Sequence, residues 1–258
     1  MIITFLGACA NQISNRESVS FLIEEKDTNL LVDCGPGIVS ALGKCNKKAS
    51  DVNNLLITHV HGDHISGFPY FVWNRNFERM GKDPAQDLNV YGTKDVIELA
   101  KFTFERCYPE LKLPFEINYH IVDDDKEVRT SISAFDLVFV PASHTVPCLS
   151  CVVSSGNKKI VYTSDSLFNE KLVDHSQKAN LVIHEGMMPC AMASLAEKVK
   201  HSMAFEAGIF ANKVLSDQLL LVHIAPSIIG NESVLLNEAR KYFSGPISIP
   251  CEGTVYVV

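Results

Sequence analysis

Short β-rich runs alternate with helical patterns along the chain. The runs Ile2–Leu6, Val19–Glu24, Asn29–Val32, Leu55–Thr58, Leu88–Tyr91, Phe135–Val140, Lys159–Thr163, Leu181–His184, Leu219–Val222 and Thr254–Val258 predict β-strands. Two segments carry apolar residues at three- and four-residue spacing and predict helices. In Lys94–Cys107 these are Val96, Ile97, Ala100, Phe104 and Cys107, and in Met203–Leu215 they are Met203, Ala207, Phe210, Ala211 and Val214. Asp33-Cys-Gly-Pro-Gly37 and Asp123-Asp-Asp125 read as turns, and no Gly/Ser linker divides the chain. The pattern predicts one α/β domain over residues 1–258, with strands outnumbering helices.

Composition narrows this to an ordinary globular protein. The chain has 258 residues, 47% of them apolar and 21% charged, which excludes collagen-like, coiled-coil and broadly disordered chains. Its net charge of −7 provides no overall positive field for wrapping or sliding on nucleic acid. A small anionic substrate held by metal ions remains compatible. No apolar stretch reaches the roughly 18 to 20 residues of a membrane span. The opening run Met1–Ala10 mimics a short secretory signal but lacks a basic region and is broken at Thr4, so it reads as the first strand. The eight cysteines show no compact spacing framework, and we expect reduced thiols in a cytoplasmic protein.

The chemistry is concentrated in Thr58-His-Val-His-Gly-Asp-His64. His59 and His61 are two apart, so in extended backbone both side chains leave one face, as a tetrahedral zinc requires. Gly62 lets the loop turn, which re-aims Asp63 and His64 toward a second ion. In a chain of this length and composition the pattern arises by chance roughly 6 × 10⁻⁴ times. Two ions need more ligands than this loop supplies. His144, Asp165 and His223 each follow a predicted strand, where a rigid scaffold presents functional groups. Singly each reads as a hydrogen-bonding loop residue; with the loop they complete a ligand set.

These residues, in this order, resemble the metallo-β-lactamase superfamily, and within it the branch of the tRNA 3′-processing endonuclease RNase Z and related phosphodiesterases. The resemblance runs from Phe5-Leu-Gly7 through Asp33-Cys-Gly35-Pro-Gly37, the histidine loop with Gly67, His144-Thr-Val-Pro147, Tyr162-Thr-Ser-Asp165, His184-Glu185 and His201-Ser202 to His223. It implies a four-layer αββα sandwich with the metals at one edge of two packed sheets. It implies one zinc on His59, His61, His144 and Asp165 and a second on Asp63, His64, Asp165 and His223, with Asp165 bridging. The same residues accept manganese or another divalent ion. Asp33 would fix a ligand imidazole by accepting its free N–H. The resemblance also implies a homodimer.

It assigns roles to three further groups. Two ions roughly 3.5–4 Å apart share a bridging water whose pKa falls to near 7, and Asp63 would orient that hydroxide for attack. His201, opening a helix, would protonate the leaving group, held by Glu185, whose carboxylate would raise the imidazole pKa. The chain departs from the endonuclease in other respects. Only 20 residues separate His144 from Asp165, reading as two strands around Gly156-Asn157 with no basic RNA-gripping arm. His223 is followed by Ile-Ala-Pro, without the Ser/Arg pair expected in that branch. We therefore expect a phosphodiesterase acting on a small anionic phosphodiester such as a cyclic nucleotide, with no membrane association and large RNA disfavoured.

An arm-less tRNA endonuclease and a glyoxalase-type thioesterase or lactonase are the alternatives; His201 and Glu185 favour phosphodiesters over acyl substrates. His61 argues against a flavodiiron oxidoreductase, which carries an acidic residue there, while a mononuclear persulfide-oxidising relative is separated by its metal content. The filled ligand positions argue against a non-catalytic scaffold. Trp73, with Phe68, Tyr70 and Phe71, reads as core-facing or as an aromatic wall for a base. Arg75 and Arg79 read as solvated charges. Cys148-Leu-Ser-Cys151 starts a β-like run rather than a helix, so it carries no redox role. His120, His175 and His184 read as structural.

Overall fold

The computed structural model describes residues 1–11, 16–79 and 86–258. Six strands come first: β1 (Ile2–Gly7), β2 (Ser20–Glu25), β3 (Thr28–Val32), β4 (Asn54–Leu56), β5 (Leu88–Gly92) and β6 (Ile117–Ile121). Seven more follow: β7 (Val128–Ile132), β8 (Phe135–Pro141), β9 (Leu149–Ser155), β10 (Lys158–Tyr162), β11 (Leu181–Glu185), β12 (Leu219–Val222) and β13 (Ile247–Ser248). A final strand, β14 (Val255–Val257), returns to pair with β1. The strands form two seven-stranded sheets, in the orders β14-β1-β2-β3-β4-β5-β6 and β13-β12-β11-β10-β9-β8-β7.

Strand alternation builds the layers. Ile3 and Phe5, Phe21 and Ile23, and Leu30 and Val32 turn toward the second sheet, where they meet Phe135, Leu137 and Phe139, Tyr162, Ile183 and Val222. The intervening Leu22, Leu31 and Leu55 pack outward against the helices Ile38–Lys44, Phe68–Arg79 and Lys94–Cys107. On the far side Val152, Val161, Val182 and Leu221 pack against Ala204, Ala207, Phe210 and Ala211 of the helix Ala204–Lys213. Central strands buried on both faces read as apolar runs. The result is helix, sheet, sheet, helix: the αββα sandwich.

Strand direction then sets where function can sit. In the first sheet β3, β4 and β5 are parallel. In the second, β10, β11 and β12 are parallel, and β9 runs antiparallel to both β8 and β10, so β8 shares their direction. The C-terminal ends of β8, β10, β11 and β12 therefore open on one edge. The strands without a sequence signal are β6, β7 and the two-residue β13. They lie at sheet margins, and in β6 and β7 most positions are partly or fully exposed, so no apolar run develops.

Two readings of the aromatic–basic helix are corrected. Arg75 is not a solvated charge but fully buried. Its guanidinium donates to the carbonyls of Ala49 and Ser50 at 3.1 Å, to those of Val52 and Gln86, and to Asn53 Oδ1 at 3.2 Å, beneath the Phe115 ring. Arg79 is half-buried and reaches Ser50 O at 2.8 Å. Phe68 and Phe71 are core residues and Trp73 stacks on Tyr108 with centroids 5.2 Å apart, which leaves Tyr70 as the exposed ring of the four. Arg75→Met would take the donor from the Val52 and Gln86 carbonyls and from Asn53 Oδ1, and we expect it to cost about 3 kcal/mol. For a chain of this size that lowers the melting temperature by roughly 6 to 12 °C, measurable by calorimetry. A shift under 2 °C would show the guanidinium to be dispensable.

Candidate metal centre

The edge is built first from backbone. Asp33, immediately after β3, Ser164, two residues after β10, and His223, immediately after β12, all have φ between 53° and 61°. These left-handed residues redirect the backbone at strand ends without glycine. Asp33 N–H donates to Leu56 O at 2.8 Å and Cys34 N–H to His64 O at 2.7 Å, which ties the Asp-x-Gly turn to the histidine loop. Gly35 is needed there because a Cβ would lie 2.0 Å from the Asp63 carbonyl oxygen.

All seven sequence-predicted ligands converge on this edge. Ring and carboxylate atoms of His59, His61, His144 and Asp165 lie within 4.8 Å of one another, as do those of Asp63, His64 and His223. Asp165 Oδ2 joins the two groups, lying 3.5 Å from His59 Nε2, 3.5 Å from His64 Nε2, 3.9 Å from His144 Nε2 and 3.1 Å from His223 Nε2. Asp63 Oδ2 lies 3.5 Å from His64 Nε2 and 3.3 Å from His223 Nε2.

The outer nitrogens decide what the inner ones are. His64 Nδ1 donates to Asp33 Oδ2 at 2.9 Å, and His144 Nδ1 to Lys200 O at 3.1 Å. Thr58 Oγ1 donates to Asp33 Oδ1, so it accepts from His59 Nδ1 at 3.0 Å. With the Nδ1 atoms protonated, the Nε2 atoms of neutral His59 and His144 turn bare lone pairs inward, and His64, whose Nδ1–H is held by Asp33, would offer its Nε2 once a cation takes the place of the proton there. His61 Nδ1 lies 3.1 Å from His59 Nε2 and 3.2 Å from His144 Nε2. Nitrogens on a tetrahedral zinc at 2.0–2.1 Å are about 3.3 Å apart, so the donor set fits such an ion. His64 Nε2 and Asp165 Oδ1 are buried and have no hydrogen-bond partner, as a cation-binding site requires.

Burial and mutual repulsion keep His59 well below the ordinary histidine range, and burial brings His144 down to about 4. His61 is also lowered by burial. Burial pushes against charge on Asp165 as well, but His223, His64 and His59 outweigh it and hold the carboxylate ionised. His64 moves the other way: the charges of Asp165 and Asp33 outweigh its burial and raise it. The centre thus attracts positive charge between its carboxylates.

His201 and Glu185 also meet here, with Nδ1 and Oε2 at 2.9 Å. The His201 ring stacks on His223 at 5.1 Å and stands edge-on to His144 at 4.9 Å. Glu185, at the end of β11, is fully buried and also accepts from Ser166 N–H. The expected rise of the His201 pKa is corrected: burial lowers it, while burial and the Asp165 charge push Glu185 well above the usual carboxylate range. The pair is best described as sharing a proton between Nδ1 and Oε2.

His184 is a core residue packed on Phe210, His120 stacks on Tyr91, and His175 pairs with Glu127. Cys148 and Cys151 are buried and free, like all eight cysteines in having no disulfide. Sequence reasoning missed Thr58 and Lys200 as acceptors for ligand imidazoles. Thr58 carries a signal, preceding the histidine loop directly, whereas the Lys200 contact uses a backbone carbonyl that every residue has.

Comparisons with known proteins agree with this architecture. A family model described as anti-Pycsar protein Apyc1 matches residues 1–223. A ribonuclease Z of Prochlorococcus marinus (strain NATL1A) is 24% identical over 304 residues, covering 94% of this chain and 95% of its own. The probable metallo-hydrolase YhfI of Bacillus subtilis (strain 168) is 24% identical over 259 residues, covering 99% of both chains. The crystal structure of that YhfI, a metallo-β-lactamase fold protein, superposes with a TM-score of 0.82 over 99% of this chain and 98% of its own. Human tRNase Z, short form, also gives 0.82, at 21% identity over 100% and 99%.

Proposed function

The chain belongs to the anti-Pycsar protein Apyc1 family, within the metallo-β-lactamase fold, and from that premise we propose a binuclear metal-dependent phosphodiesterase acting on a small phosphodiester such as a cyclic nucleotide. The observation that carries this reading is the position of the Asp165 carboxylate, within 3.9 Å of imidazole nitrogens of His59 and His144 on one side and of His64 and His223 on the other. His59, His61, His144 and Asp165 would hold one divalent cation and Asp63, His64, Asp165 and His223 a second, with zinc suited to the imidazole-rich set and manganese also accepted. Bound there, the cations supply Lewis-acid polarisation of the phosphate and a hydroxide nucleophile at neutral pH.

The chain's own residues do the rest. Asp63, partly exposed at the mouth, orients the attacking water and accepts its proton. His201 gives a proton to the leaving oxygen, and the proton shared with Glu185 moves onto Nδ1 in the same step, so the ring never becomes an imidazolate. Glu185 is held for this by Ser166 N–H. Asp33 and the Lys200 carbonyl keep His64 and His144 in the tautomer that faces the site.

A small substrate is supported by the net charge of −7 and by the segment from His144 to Asp165, most of it taken up by the hairpin of β9 and β10. The eight free thiols support a reducing compartment, and among the described residues no helix is long and apolar enough to cross a membrane. The likeness to ribonuclease Z favours a second reading, cleavage of precursor transfer RNA. The zinc-loaded protein should be assayed against cyclic nucleotides, a generic aryl phosphodiester, a thioester and a precursor transfer RNA. We expect turnover of a cyclic nucleotide at least about 100-fold faster, per kcat/KM, than of the RNA, a gap of roughly 2.7 kcal/mol in barrier. Cleavage confined to the RNA would replace the proposal with the second reading, and cleavage confined to the thioester would remove both.

A further inference from the structure

We propose that Tyr162 is a positioning residue that locks the His64 half of the centre to the Asp165 half, an inference that rests on the metal-site reading above. Tyr162 ends β10 in the second sheet, three residues before Asp165. Its side chain crosses the interior of the sandwich to the first sheet, where its hydroxyl donates to Asp33 Oδ2 at 3.2 Å. The ring is almost fully buried and meets Phe21 edge-on, with centroids 5.0 Å apart and planes at 89°.

Asp33 is where the contact takes effect. Its carboxylate accepts four hydrogen bonds: Thr58 N–H and Oγ1–H on Oδ1 at 2.9 and 3.0 Å, and His64 Nδ1–H and the Tyr162 hydroxyl on Oδ2 at 2.9 and 3.2 Å. Thr58 and His64 belong to the histidine loop of the first sheet, whereas Tyr162 belongs to the strand that delivers Asp165. The two sheets are also joined near this point by Leu149 N–H to Thr58 O at 3.2 Å, and at the mouth by His144 Nε2 with His61 Nδ1 at 3.2 Å and His223 Nε2 with Asp63 Oδ2 at 3.3 Å. Burial beside the Asp33 and Asp165 charges keeps the phenol protonated, so it remains a donor. Ligands drawn from both sheets can hold a common ion only if the sheets stay in register at this edge, and the Tyr162–Asp33 bond sets that register where His64 faces Asp165.

Among the described residues the hydroxyl has no other hydrogen-bond partner, so Tyr162→Phe removes this bond while keeping the ring against Phe21. The test titrates metal-stripped, full-length protein with Co²⁺ and follows the visible absorption of the bound ion. Wild type is expected to fill in two steps. Tyr162→Phe should weaken one step roughly 10-fold, the lower end of the scale seen when groups behind metal ligands are altered, and leave the other within about twofold, because His59, His61 and His144 do not depend on Oδ2. Val161→Ala, on the opposite face of β10, is the control: it should lower thermal stability and leave both steps unchanged. Unaltered steps in Tyr162→Phe would overturn the inference, as would an equal loss in both steps or a variant that fails to fold. Wild-type protein that binds no Co²⁺ would overturn the metal-site reading itself.

Discussion

Asp165→Asn is expected to reduce bound metal from two equivalents per chain to one or fewer and to lower kcat/KM about a thousandfold, roughly 4 kcal/mol of barrier. Four imidazoles approach Asp165 Oδ2 within 3.1 to 3.9 Å. An amide in that place carries no charge, and it directs either a weaker acceptor or two N–H groups at nitrogens that are themselves lone-pair donors. The side chain changes little in volume, so the sandwich should fold; elemental analysis of the purified variant reads the metal directly. Two equivalents retained with near-normal turnover would mean that the carboxylate is not the shared ligand.

His201→Ala has an effect of similar size on a different quantity. Its Nδ1 is bonded to Glu185 and it is in neither of the two proposed ligand sets, although its ring lies with Asp165 and His223 in a third group of atoms close enough to share an ion. Metal content should therefore be unchanged while kcat falls about a thousandfold for a substrate leaving as an alkoxide, within the usual range for a proton donor. With an aryl phosphodiester, whose leaving group needs no proton, the loss should shrink to under about tenfold. A loss independent of the leaving group would remove the acid role, and loss of metal would make His201 a ligand instead.

Much of the candidate centre was legible because metal chemistry uses few residue types at tight spacing. The pattern of the 59–64 loop is improbable by chance, and His144, Asp165 and His223 could be placed by the strands preceding them. The layered fold was legible from the apolar runs at its centre and illegible at its margins, where β6 and β7 carry partly exposed, polar-rich sequence. Arg75 was misread because a charged residue on a helix is ordinarily solvated; the carbonyls that bury it come from residues 49–53 and 86, which no local pattern connects to it. Tyr162 gave no signal for a related reason. An aromatic on an inward strand position reads as packing, and only the assembled sandwich shows that its oxygen reaches a carboxylate 129 residues away in sequence. The pKa direction at His201 also depends on burial, which neighbouring sequence does not report.

The left-handed turns at Asp33, Ser164 and His223 limit how this edge can evolve. Glycine would enter that backbone region most easily, but at Asp33 and His223 it would delete the side chain that the centre uses, while a β-branched residue would resist the backbone angle. Drift at these two sites must satisfy chain direction and donor chemistry together, which leaves Asp, Asn and His as the natural candidates. Surface loops elsewhere face neither demand, so divergence among relatives should accumulate around a rim whose turning points stay nearly fixed.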